Sequence, residues 1–289
     1  MQRDSILNTL VIAVSVCLIC SLLVASAAVG LRDKQKLNVE LDRKKNILQA
    51  AGFSDVQMKQ AGGVLAFFDQ RVKPIIVNLE SGSEGGLQEI VAADPKDDWN
   101  EEASALKLYD QITAAKKPIP GLFTEFQDTR TDVAGISRKE KYSHVYLVQS
   151  EDGQVVEKYV FPIRGKGLWS ILKGFIAVEN DFQTISGLTF YEHAETPGLG
   201  GEVDNAKWKQ QWVGKAIYDE DGEVGIEVIK GVADAGDQFA VDGLSGATIT
   251  SRGVTNMLKF WLGPSGFGPF IKNQSASGRV SLGSSKGAR

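Results

Sequence analysis

Asp242-Gly243-Leu244-Ser245-Gly246-Ala247-Thr248 is a run of small and hydroxyl-bearing residues set directly before an amphipathic stretch. The first turn of a helix offers backbone N–H groups without intrahelical acceptors and the positive end of the dipole, which together suit a phosphate. Gly246 and Ala247 let the backbone approach such a group, and Thr248 adds a hydroxyl. A plainer reading stays open, in which Ser245, Thr248 or Thr250 only caps the helix, worth about 1 kcal/mol. The conventional catalytic sets are missing. His144 and His193 are the only histidines, so a multi-histidine metal site is excluded, and no cysteine other than Cys17 and Cys20 exists. There is no phosphate loop of the Gly-x-x-x-x-Gly-Lys-Ser/Thr type. Gly198-Leu199-Gly200-Gly201 lacks the third glycine of a dinucleotide fingerprint, which leaves direct NADH binding unsupported. Arg164, Lys166 and Lys173 offer countercharge for a phosphate or form a solvated face.

The elements that must position this cluster are readable from periodicity. Val254, Met257, Leu258, Trp261 and Leu262 form one apolar helical stripe behind it. Strands are predicted at 142–149 and 155–163, joined by turn chemistry at Asp152-Gly153, and again at 170–177, 184–191 and 224–229. A helix is predicted over 205–213. Towards the N-terminus, a helix over 38–51 is stopped by Gly52, and a second begins at Ser54 or Asp55, weakened in its middle by Gly62-Gly63. Lys73-Pro74 ends it, and Ile75-Ile76-Val77 reads as a strand. Residues 81–86 are turn-like, 94–102 form an acidic surface segment, and 103–113 a short helix. Residues 274–289 are Ser/Gly-rich and expected to be disordered.

The run from Ile6 to Leu31 carries no charge, and its 26 residues exceed the roughly 20 needed to cross a bilayer. A retained anchor is the expected reading. The rival is a cleaved signal peptide, since Ala25-Ser26-Ala27 has the small-x-small form. Cys17 and Cys20 stand in a C-x-x-C spacing that usually suggests redox or metal chemistry, but within an apolar run packing is the favoured reading. The formal net charge of −4 gives no footprint for nucleic acid. Arg32, Lys34, Lys36, Arg43, Lys44 and Lys45 follow the span, so a literal positive-inside count keeps the large domain in the cytoplasm, although long translocated domains follow that rule poorly.

Asp242–Thr248 resembles the D-G-x-S/T-G-A-T signature of a family of FMN-binding domains in which a flavin transferase esterifies the last threonine with the phosphate of FMN. The segment from His193 to Gly200, containing Glu195-Thr196-Pro197-Gly198-Leu199, resembles that family's flavin-contacting loop, and Gly167-Leu168-Trp169-Ser170 also fits it. Within the family the chain is most similar to the C-type subunits of the Na+-translocating NADH:quinone reductases. Residues 43–48, 71–74 and 260–270 extend that likeness over nearly the whole chain, the tail after Gln274 excepted.

The resemblance implies covalent FMN on Thr248, with Thr250 and Ser251 as hydroxyls that the signature does not select. It implies a site of Trp169, Glu195, Thr196, Gly198, Leu199, Ser245, Gly246 and Ala247, with Glu195, Thr196 and Leu199 lining the flavin ring. Trp169 packs near the ring or in the core, and His193 is expected to be structural. A flavin carries the redox chemistry itself, so no catalytic acid or base is assigned, and no metal ligand either. The similar complexes hold intramembrane iron, for which Cys17 and Cys20 are not expected as ligands. NADH and quinone would bind on other subunits of a membrane complex, which this subunit serves as an electron relay. The N-terminus would be cytoplasmic and the large domain periplasmic at a bacterial inner membrane, since the family's transferase acts outside the cytoplasm. The related G-type subunit of Rnf-type ferredoxin:NAD+ oxidoreductases, and a non-catalytic FMN-binding regulatory module, are the alternatives. The expected architecture is α+β: a single transmembrane helix (1–31), a membrane-proximal mixed region (32–135), and an FMN-binding domain (136–273) with a central, mainly antiparallel sheet flanked by helices, then the tail (274–289).

Overall fold

A computed structural model describes residues 6–93, 109–116, 119–128 and 130–283. Its first helix, α1, runs unbroken from Ile6 to Ala50 and contains a segment long and apolar enough to cross a membrane. It ends at the stop expected from Gly52, with Gly52 N–H donating to Gln49 O and Phe53 N–H to Leu48 O, the paired bonds of a Schellman motif. The predicted second helix is two helices, α2 (Asp55–Gln60) and α3 (Val64–Arg71). Gly62 and Gly63 separate them at φ +89° and +110°. Ser54 and Gln57 form a reciprocal capping box at the start of α2. By compactness the chain divides into residues 1–43 and 44–289.

The second unit is built on a five-stranded antiparallel sheet. Its strands are β1 (Val72–Asn78), β4 (Tyr142–Gln149), β5 (Val156–Lys166), β6 (Ile171–Glu179) and β7 (Ile185–Glu192), in the order β1-β4-β5-β6-β7. Pro74 lies inside β1 rather than ending the preceding helix alone, which an edge strand tolerates because one side of it needs no amide donors. Two short strands, β2 (Phe123–Glu125) and β3 (Arg138–Glu140), pair beside the sheet. Because β1 pairs with β4, the boundary expected at 135/136 falls inside one compact unit. That pairing joins residues about seventy positions apart, a contact that no local pattern announces.

Each sheet face has its own core, as period-two alternation requires. On one face Ile47, Leu48 and Ala50 of α1 and Phe67 and Phe68 of α3 pack with Tyr146, Val148, Val160 and Phe175. On the other, helix α7 (Thr248–Leu262) lays Val254, Met257, Leu258, Trp261 and Leu262, the stripe read from sequence, with Phe161, Ile163, Ile176 and Val178. Before α7 come short elements: α4 (Leu87–Ala93), α5 (Gln111–Lys116), a 3-10 turn (Gly200–Asp204) and α6 (Ala206–Gln210). Strands β8 (Glu227–Val228) and β9 (Ala240–Val241) pair in parallel, so the strand expected at 224–229 is shorter. The acidic segment 94–102 and most of the helix expected at 103–113 lie outside the described residues.

The last helix, α8, spans Gly268–Gly283 and so enters the tail expected to be disordered. Phe270 and Ile271 are buried and anchor its start, and Asn273 donates to Ser81 O. A helix nucleated by packing extends at low cost through residues of modest propensity, which composition alone does not reveal.

Candidate functional site

Three segments that are distant in sequence meet at the start of α7. The Asp242–Thr248 turn is held from below by Asp242. Its carboxylate accepts from Ala233 N–H at 2.7 Å and from Gln211 Nε2 at 2.8 Å, and its carbonyl accepts from Trp208 Nε1 at 2.8 Å. Gly243 is there for space, since a Cβ on it would meet Ile229 O at 2.4 Å. Gly246 adopts φ +69°, and a Cβ there would sit 2.9 Å from Leu199 Cδ2, so the 195–200 loop lies against the turn. Gly253, one turn further along α7, approaches the backbone of Lys166 and Gly167 and brings in the third segment.

The structure separates the hydroxyls that the sequence leaves together. Thr248 is exposed at the first position of α7, and Ser245 and Gly246 are exposed beside it. Thr250 is fully buried and donates through Oγ1 to Glu195 Oε2 at 2.7 Å. Ser251 is buried as well, and its Oγ accepts from Leu244 N–H at 3.1 Å. The N-cap residue is Ala247, which makes no side-chain cap, and among the described residues Ser245, Thr248 and Thr250 do not cap the helix, which corrects that reading. The first-turn amides therefore stay without a side-chain acceptor beside an open hydroxyl.

Thr248 opens onto a groove of about 650 Å³, lined among others by Lys230, Gly231, Ser245, Gly246, Ser251 and Arg252. Its contents fit a phosphate ester: two exposed hydroxyls, Ser245 before the helix and Thr248 at its first position, a glycine cradle, a helix start and two exposed cations. Neither cation stands out in the sequence reading. Arg252 is legible there in principle, because it stands four residues after Thr248 and so on the same helix face. The cations that the sequence reading selects are elsewhere or engaged. Arg164 is buried, paired with Glu140 at 2.6 Å and stacked over Trp261, so the solvated-face reading fails for it. Lys173 pairs with Glu192 at 2.5 Å, and Lys166 is exposed.

Glu195 is engaged by two other segments of the chain. Its carboxylate is buried and accepts from three backbone amides and two hydroxyls. Oε1 takes Trp169 N–H at 3.0 Å, Ser170 N–H at 3.1 Å and Ser170 Oγ at 3.2 Å, while Oε2 takes Leu168 N–H at 3.2 Å and Thr250 Oγ1 at 2.7 Å. Burial pushes its carboxyl up, but the Thr250 hydroxyl and the amides of Trp169, Leu168 and Ser170 outweigh that and hold it below the usual carboxylate range. Trp169, by contrast, is 71% exposed and is no core aromatic. Leu168, Leu199 and Ile249 are exposed as well, and Pro197 and Gly198 are exposed on the same loop as Thr196. His193 is held within the loop: its Nδ1 accepts from Glu195 N–H, and its Nε2 faces Asp204 at 2.8 Å. Ala247 is buried beneath the turn. Cys17 and Cys20 are free and exposed on α1.

The Thr248 groove and the exposed Trp169 and Leu199 all lie in residues 167–263, which match the family of FMN-binding domains. The C-type subunit of the Na(+)-translocating NADH-quinone reductase of Yersinia pestis is 43% identical over 271 residues, 94% of each chain. That of Pseudomonas aeruginosa is 42% identical over 275 residues, 94% of this chain and 97% of the relative. Among solved structures, NqrC of Shewanella oneidensis superposes with a TM-score of 0.67 at 32% identity, covering 81% of this chain and 96% of that one. The chain belongs to this family, the C-type subunits of the Na(+)-translocating NADH-quinone reductases.

Proposed function

We propose that this chain carries FMN covalently, as a phosphoester on Thr248, and relays electrons within a sodium-translocating NADH:quinone reductase. The observation that carries the reading is the contrast of hydroxyls on the helix: Thr248 is exposed in the groove at the first helical position, while Thr250 and Ser251 are buried and hydrogen-bonded; Ser245, exposed in the same groove, stands before the helix. Arg252 and Lys230 supply countercharge to the phosphate, and Trp169 and Leu199 offer an apolar surface to the ring. When bound, the flavin supplies one- and two-electron chemistry, and the chain supplies position and polarity. NADH and quinone bind on other subunits of the complex, and a flavin transferase installs the cofactor.

The anchor is retained in a bacterial inner membrane, with the N-terminus cytoplasmic and residues 44–289 periplasmic, where the transferase acts. Protease added to spheroplasts should digest the large domain; protection until the membrane is breached would reverse the orientation. The attachment is tested by co-production with the transferase followed by denaturing electrophoresis. The wild-type band should fluoresce and Thr248→Ala should be dark, whereas a fluorescent Thr248→Ala band would move the attachment to another residue.

A further inference from the structure

Glu195 is a charged side chain that the function above does not use. It stands on the loop leading out of β7, and its carboxylate reaches two other segments: the Leu168–Ser170 turn between β5 and β6, and the first turn of α7. The two glycines beside it are fitted to that carboxylate. A Cβ on Gly167 would lie 2.6 Å from Oε1, and one on Gly200 would lie 2.8 Å from Oε2. Three successive amides converging on one carboxylate hold a turn as firmly as a bound anion holds a nest of N–H groups. Trp169, the most exposed aromatic at the site, is the middle residue of that turn.

We propose that Glu195 is a positioning residue for the flavin: its carboxylate ties the Trp169 turn to the Thr248 end of α7, and its buried charge disfavours electron addition to a flavin held there. The first half stands on the hydrogen bonds alone, and the second rests on FMN being carried at Thr248. Glu195 acts on the cofactor through Trp169, Thr250 and its field, without touching it. A negative charge in a poorly solvated site raises the cost of each added electron, which lowers the midpoint potential.

Substitution by glutamine makes the proposal specific to atoms. With its carbonyl in the place of Oε1, the amide still accepts from Trp169 N–H and Ser170 N–H. Its NH2 in the place of Oε2 can donate to Thr250 Oγ1 but cannot accept from Leu168 N–H. The test uses the full chain in detergent, produced without transferase, and follows amide hydrogen exchange. Glu195→Ala should speed exchange at Leu168, Trp169 and Ser170 by about tenfold or more and leave Ile163 and Ile176 in the sheet unchanged. Glu195→Gln should restore slow exchange at Trp169 and Ser170 but not at Leu168. Equal acceleration across the sheet in Glu195→Ala would reduce Glu195 to a general stabiliser, and unchanged exchange at 168–170 would remove the tie altogether; either result overturns the proposal. Because no flavin is present, this arm is independent of the attachment site. In the flavin-loaded complex, Glu195→Gln should move the midpoint potential of this subunit's flavin to a more positive value. A potential that stays or falls would overturn the electrostatic half.

Discussion

Thr248 and Thr250 stand two residues apart at the start of one helix and occupy opposite environments. The first looks onto a groove with Arg252 and Lys230; the second is sealed against a saturated carboxylate. A helix start of this kind has an outer side open to solvent and an inner side that holds the neighbouring loops. Residue type alone does not distinguish the two sides. Position along the turn does, because successive helical residues point about 100° apart and residues two apart face nearly opposite ways.

The sharpest way to break this comparison is to exchange the fates of the two threonines. Thr248→Ala should lose all denaturation-resistant flavin and leave stability within about 0.5 kcal/mol, as expected for an exposed site. Thr250→Val should do the reverse. It should keep the flavin and lower stability by about 1–3 kcal/mol, because a buried carboxylate loses a donor. Thermal unfolding of the full chain in detergent measures both. Loss of flavin in Thr250→Val with an unchanged melting temperature would erase the distinction.

Acid probes the inner side next. Glu195 has its carboxyl held below the ordinary value of 4.5 in the folded chain. Such a group adds stability above its unfolded value and loses it as pH falls through its folded value. Stability measured from about pH 6 down to about pH 3 should therefore fall less steeply in Glu195→Gln than in wild type. Parallel curves would show that the carboxylate is not held as described. The outer side responds least. Arg252→Gln should slow flavin attachment only a few-fold, and added salt should narrow the gap to wild type, since an exposed cation is screened. A gap that salt leaves intact would mean contact with the phosphate in a desolvated setting.

Much of the outer side is legible in the sequence. The Asp242–Thr248 turn, the apolar stripe of α7 and the hairpin at Asp152-Gly153 are local patterns, and each lies where the sequence places it. The inner side is not legible in this way. Glu195 is part of a polar turn by residue type, and the resemblance adds a ring contact, but neither says which amides its carboxylate meets. Its donors come from residues 25 to 55 positions away. Arg164 misleads for the same reason: its partner Glu140 is on a different strand, and only the fold buries the pair. The β1–β4 pairing and the helical continuation past Gln274 depend likewise on long-range packing.

The central claim is that one hydroxyl at the start of α7 carries the flavin. Trypsin releases Gly231–Arg252 as a single peptide holding Ser245, Thr248, Thr250 and Ser251. Mass spectrometry of that peptide from the transferase-treated chain should find it heavier by one FMN less water, with fragmentation placing the added mass on Thr248. Added mass on Ser245, Thr250 or Ser251, or an unmodified peptide from a chain that still fluoresces after denaturation, would contradict the account.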